Sequence, residues 1–156
     1  MTLDDFSVRF KFVDWPNKGM PSVSTGVYLI WWGERFLYCG MSGREYEKKR
    51  EEKLQKGQDY GLKDRLNSHQ SGRLSGDQFC VYVANRLVIP SLTHDVLPKF
   101  GTGELTLDRC TKNFIDENNF EYQYIELSSS QSSRSLENKI RRGEFSIGKP
   151  FLNPKS

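Results

Sequence analysis

The chain has 156 residues, enough for one domain of ordinary size with a real core, and its 36% hydrophobic and 13% aromatic content describes a globular chain rather than a disordered one. A net charge of +3 permits a nucleic-acid partner without arguing for one. The cysteines Cys39, Cys80 and Cys110 lie far apart, which excludes a disulfide framework or a metal-ligand spacing and fits buried thiols in a reducing cytoplasm.

The first residues, "MTLDDFSVRF", lack a basic start followed by an apolar run, so no secretory leader is expected. No apolar stretch approaches the roughly 20 residues of a membrane helix, so no membrane partner is expected. "FSVRFKFV" alternates and predicts a strand, followed by the turn-rich "DWPNKGMPS". Residues 26–32 and 36–39 predict two strands joined by a tight turn. "REYEKKREEKLQKGQ", 44–58, carries charges at helical spacing and few apolar positions, and reads as a solvent-facing helix or flexible insert.

"GLKDRLNSHQSG", 61–72, is a short helix on Leu62 and Leu66, stopped at Gly72. "QFCVYVA", 78–84, reads as a strand, and 85–105, with Pro90, Pro98, Gly101 and Gly103, as a long connection. A helix over 106–119, a strand over 120–127 and a helix over 135–142 follow, with the serines of 128–135 available to cap the last helix. The tail "GKPFLNP" is extended and limited by proline.

Several residues stand out chemically. Tyr28 and Tyr38 each lie two places from a glycine in the 26–40 hairpin. They are ten apart, so they share a sheet face only if the hairpin contains an odd loop or a bulge. A three-residue Gly33-Glu34-Arg35 loop would do this, and a two-residue Gly33-Glu34 loop would not. The ordinary reading is a pair of strand tyrosines at the edge of a core.

Arg65 and His69, four apart, stack on one helix face beside the apolar stripe. They read as a snorkelling arginine beside a structural histidine, or as a pair aimed at a phosphate. Glu137 reads as an i,i+4 partner of Arg141 or as a hard oxygen ligand for Mg²⁺. Asn153 is a turn residue or a hydrogen-bonding clamp.

The order of these features resembles the GIY-YIG nuclease family. "GVY" at 26–28 and "YCG" at 38–40 look like its two signatures, with Val27 and Cys39 standing where the signatures have isoleucine. "GLKDRLNSH" at 61–69 is similar to its arginine-bearing helix, "LENKIRR" at 136–142 to its glutamate-bearing helix, and "PFLNP" at 150–154 to its closing motif. The resemblance spans 26–154. It implies an α/β fold, with a small, mainly antiparallel central sheet flanked by helices, as a single domain over 1–156. An extra segment at about 41–60 is similar to those of free-standing restriction-type or phage-type members, and the segment at about 85–119 is also longer than the compact family pattern.

What the resemblance implies for function is a metal-dependent DNA endonuclease. Its site would comprise Tyr28, Tyr38, Arg65, His69, Glu137 and Asn153. Glu137 would hold Mg²⁺, with Mn²⁺ as the other candidate ion. Arg65 would bind the phosphate, and either tyrosine would take or orient the water's proton. Arg65, Lys63 or a protonated His69 would lower that tyrosine's pKa from about 10. His69 would bond the water or a tyrosine, and Asn153 would fix Tyr28 or the neighbouring backbone. DNA is the implied partner, with a homodimer or homotetramer supplying two sites for two strands. The alternatives are a repair or recombination nuclease acting on DNA structure, a non-catalytic nucleic-acid-binding domain, and a structural domain.

Overall fold

The two apolar runs of 25–42 fold as expected into a hairpin, which forms the centre and one edge of the sheet. A computed structural model describes residues 2–154. Its strands are β1 (Phe10–Lys11), β2 (Thr25–Trp32), β3 (Arg35–Ser42) and β4 (Glu121–Leu127). They form one antiparallel sheet in the order β1-β4-β2-β3. The fold is therefore α/β with a small antiparallel sheet flanked by helices.

The helices are α1 (Tyr46–Gln55), α2 (Leu62–Gln70), α3 (Gln78–Val83), α4 (Ile89–Ser91), α5 (Leu97–Gly101), α6 (Leu107–Glu117) and α7 (Ser130–Arg142). One face of the sheet packs Tyr28, Ile30 and Tyr122 against Leu62 and Leu66 of α2, Phe79 and Val83 of α3 and Ile115 of α6. The other face packs Val27, Leu29 and Trp31 against Leu136 and Ile140 of α7. Strand β2 is buried on both sides because helices cover both faces, which is why it reads as a continuous apolar run.

Three expectations are corrected. Residues 78–84 are helical: α3 runs through a π-helical turn at Ala84–Val88 into α4. The buried residues Phe79, Cys80, Val83 and Ala84 repeat at the spacing of one helix face, and Asp77 caps the helix by accepting from the Cys80 amide at 3.0 Å. A short apolar run does not distinguish strand from helix by itself.

The predicted strand 6–13 keeps only Phe10–Lys11 in the sheet, because the chain tightens into a 3₁₀ turn at Phe12–Asp14 that buries Phe12. Finally, 85–105 is not an open connection. It holds α4 and α5, and the wider segment 85–119 lends Val88 and Ile115 to the core. By contrast, α1 has no buried residue. Its Glu47 carboxylate accepts from the Ser130 amide and hydroxyl, both at 2.7 Å, at the start of α7.

Candidate active site

The hairpin turn has two residues, Gly33 and Glu34, between the paired Trp32 and Arg35. The three-residue loop is therefore absent. A β-bulge supplies the odd count instead: Trp31 pairs with Phe36 and Ile30 with Tyr38, leaving Leu37 without a partner. Leu37 and Tyr38 both pack on the α2 face, and the Tyr28 and Tyr38 rings stack with centroids 6.3 Å apart. The tyrosines share a face.

Gly26 and Gly40 have steric reasons. Gly40 lies opposite Tyr28, and a Cβ there would overlap the Tyr28 hydroxyl. A Cβ at Gly26 would overlap the Ile125 carbonyl oxygen and crowd Leu62 of α2.

Tyr28, Tyr38, Arg65, His69 and Glu137 all line one cleft of about 420 Å³ at the β3 edge of the sheet. Glu137 arrives from α7, whose apolar side packs on the opposite sheet face. Its side chain is 14% exposed, with the Arg141 guanidinium 3.9 Å away. Burial raises the Glu137 carboxyl, against the charges of Arg141 and Arg44. It is thus a cleft carboxylate, not one on a solvated face. Arg65 is exposed to the cleft, as is Arg44 just after β3. Among the described residues neither has a carboxylate within ion-pair distance.

Asn153 stands apart from this cleft. Its side-chain amide accepts from the Cys39 N–H at 2.8 Å and donates to the Cys39 carbonyl at 2.9 Å. The clamp falls on the backbone between Tyr38 and Gly40, not on Tyr28. Asn153 instead borders a second cleft of about 730 Å³ with Tyr82, Arg86, Arg141, Lys149 and Phe151, in which no carboxylate takes part among the described residues. The two clefts adjoin: Tyr82 packs on Tyr38 at 6.4 Å, and Arg141 faces Glu137.

The cations do not bring either tyrosine below its ordinary value. Burial pushes the Tyr28 hydroxyl well above its ordinary value, Tyr38 adds to the rise, and the opposing Arg65 charge is outweighed. Tyr38 is pushed up to about 12, by burial first and Glu137 second. Lys63 is held by Asp59 at 3.2 Å.

His69 is buried, with Nε2 2.8 Å from the Tyr28 hydroxyl and Nδ1 2.6 Å from Asp77 Oδ2. Burial pulls the imidazole below its ordinary value against the pull of Asp77. Burial alone would raise Asp77, but hydrogen bonds from His69, the Cys80 amide and Ser68 hold it at about 2. Sequence reasoning missed Asp77. Its signal is an aspartate directly before an apolar run, the mark of a helix cap, which the alternation of 78–84 hides. Arg44 was missed within a charged run.

No protein family, curated protein or solved structure was found to match this chain.

Proposed function

We propose that this chain is a metal-dependent phosphodiester hydrolase acting on nucleic acid, and more narrowly a free-standing DNA endonuclease of the GIY-YIG kind. The observation that carries the reading is convergence: Tyr28, Tyr38, Arg65, His69 and Glu137, far apart in sequence, line one cleft. Arg65 and Arg44 supply positive charge for a phosphate, and guanidinium geometry suits phosphate oxygens. The tyrosines and His69 supply hydrogen-bonding groups for an attacking water. Asn153 acts at a distance by holding the strand that carries Tyr38.

Glu137 fits a hard divalent ion. It is a partly buried oxygen donor whose carboxyl is raised by burial, so a cation beside it favours the ionised form. Mg²⁺ needs only one or two protein carboxylates because it keeps waters and takes phosphate oxygens. A Mg²⁺ or Mn²⁺ held by Glu137 would supply Lewis-acid stabilisation of the charge that develops on the phosphate and the leaving oxygen. Cutting both strands of a duplex calls for two such clefts, as in a homodimer or homotetramer.

The test is cleavage of plasmid DNA with Mg²⁺ by the wild type beside Glu137→Ala and Arg65→Ala. Wild-type nicking or linearisation is expected, with a loss of about 10²-fold or more in each variant, the scale of removing one group that stabilises transition-state charge. No cleavage of supercoiled, linear or branched DNA by wild type would overturn the reading, and binding without cleavage would favour a non-catalytic module. Equal cleavage by the variants would overturn the site. Sequenced ends separate a restriction site from structure-directed cutting.

A further inference from the structure

We infer that Asp77 is a positioning residue that holds the His69 proton on Nδ1, so that Nε2 accepts the hydroxyl proton of Tyr28 as Tyr28 takes one from the attacking water. The proton path from water rests on the nuclease reading; the state of the His69 ring does not.

A carboxylate has no proton to give, so the 2.6 Å contact between Asp77 Oδ2 and His69 Nδ1 requires the hydrogen on the ring. A neutral ring protonated at Nδ1 leaves Nε2 as a lone-pair acceptor. The group facing Nε2, at 2.8 Å, is the Tyr28 hydroxyl, which therefore donates.

Asp77 cannot turn away readily. Its Oδ1 accepts from the Cys80 amide at 3.0 Å as the cap of α3, and its Oδ2 also accepts from Ser68 at 2.7 Å. The ring is equally confined, with Phe79 at 4.9 Å and Tyr28 at 5.2 Å between centroids. All three residues of the chain Asp77–His69–Tyr28 are nearly excluded from solvent, at 1%, 2% and 2% exposure, so water does not compete for these bonds.

The arrangement answers a difficulty of the site. A buried phenol whose ionisation is suppressed cannot wait as an anion, so it must release one proton while gaining another. In this step the water O–H bond breaks and its proton goes to Tyr28 Oη. The original Tyr28 proton passes to His69 Nε2. The water oxygen bonds phosphorus, and the P–O3′ bond breaks with its electron pair on the 3′-oxygen, which takes a proton from solvent. The imidazolium, stabilised by Asp77 without transfer to it, later returns its proton through Tyr28 to solvent.

The chain has two histidines, so ¹⁵N–¹H correlation spectra can report each ring separately. Wild-type His69 is expected to show a neutral ring protonated at Nδ1. Asp77→Asn retains an oxygen to cap α3 but turns an N–H toward Nδ1, and the proton is expected to move to Nε2. Plasmid cleavage by this variant should fall about 10³-fold or more in kcat, with DNA affinity little changed, because the imidazole then has the wrong tautomer.

His69→Gln should lose a comparable factor, and the double variant little more, since the two act as one unit. A wild-type ring protonated at Nε2 would overturn the inference, as would wild-type kcat in Asp77→Asn or multiplicative losses in the double variant. A wild type that cleaves no DNA yet shows the Nδ1 proton would overturn the nuclease reading while upholding the tautomer.

Discussion

His69 sits where two demands conflict: burial disfavours its charged form, while Asp77 favours it. Burial prevails at the ring, and the donors around Asp77 keep the carboxylate ionised, so the pair rests as neutral imidazole against carboxylate. That balance makes stability depend on pH. Stability rises with pH wherever the unfolded chain binds more protons than the folded one. The His69 ring titrates below its ordinary 6.5 when folded, so below that pH the unfolded chain holds a proton the native chain lacks. Stability is therefore lost as pH falls below 6.5. Asp77, at about 2 rather than 3.8, acts in the same direction over its own more acidic window. Urea midpoints should fall from pH about 7.5 to about 5.5, and fall less in His69→Gln, which removes the titrating ring. Parallel pH profiles for the two proteins would show that this imidazole does not govern the acid limb.

At the scale of elements, the nuclease reading makes the way strand β3 is held part of the site. Its bulge at Leu37 turns Tyr38 toward Tyr28, and its outer edge is covered by the tail rather than by another strand. The Phe151 and Leu152 amides donate to the Phe36 and Leu37 carbonyls at 3.0 and 2.7 Å, and the Asn153 amide engages both polar groups of Cys39. The bulged strand thus has its irregular stretch satisfied from outside, and its edge is not open to pairing. Asn153→Ala should cost about 1–3 kcal/mol, the penalty for leaving buried backbone groups unpaired. On the nuclease reading it should also lower kcat more than DNA affinity, because the clamp bears on the backbone beside Tyr38 and not on Arg65 or Arg44. Denaturation and single-turnover cleavage check both halves; an unchanged melt would mean that water replaces the amide without cost.

The same elements show what was legible beforehand. The need for an odd count between Tyr28 and Tyr38 follows from strand alternation, but bulge or loop depends on cross-strand pairing that one chain segment does not reveal. In helix α3, Phe79, Val81 and Val83 alternate as well as in any strand, and only the burial of Cys80 and Ala84 decides for a helix. Losing that helix hid its cap, Asp77, and with it the partner of His69.

For the whole molecule, a two-sided sheet lets distant segments meet at one edge: α2 presents Arg65 and His69 from one face, and α7 presents Glu137 from the other. The same edge continues past Tyr38 into the second cleft, where Tyr82 and Phe151 lie among Arg86, Arg141 and Lys149. Phe151 is flanked by the guanidinium of Arg35 at 3.6 Å and that of Arg86 at 4.0 Å from its ring centre. A mild overall charge thus conceals a local concentration of cations beside the cleft, which is why +3 alone argued so little. On the nuclease reading, a phosphate backbone held by Arg65, and at Glu137 through a divalent ion, would continue along these cations. Each phosphate contact contributes about one unit to the slope of log affinity against log salt for duplex DNA. Lys149→Ala and Arg86→Ala should therefore weaken DNA binding at low salt and flatten that slope by up to about one unit each, with similar effect on unrelated sequences. With Lys149→Ala the single-turnover cleavage rate at saturating DNA should stay near wild type, since Lys149 does not line the cleft of Glu137 and Arg65, whereas Arg86 also donates to the Phe151 carbonyl and so supports the tail that covers β3. Fluorescence anisotropy across a salt series measures the slope; an unchanged slope in the double variant would direct the DNA path away from the Phe151 cleft, toward the exposed charges of α1 on the other side of Arg44.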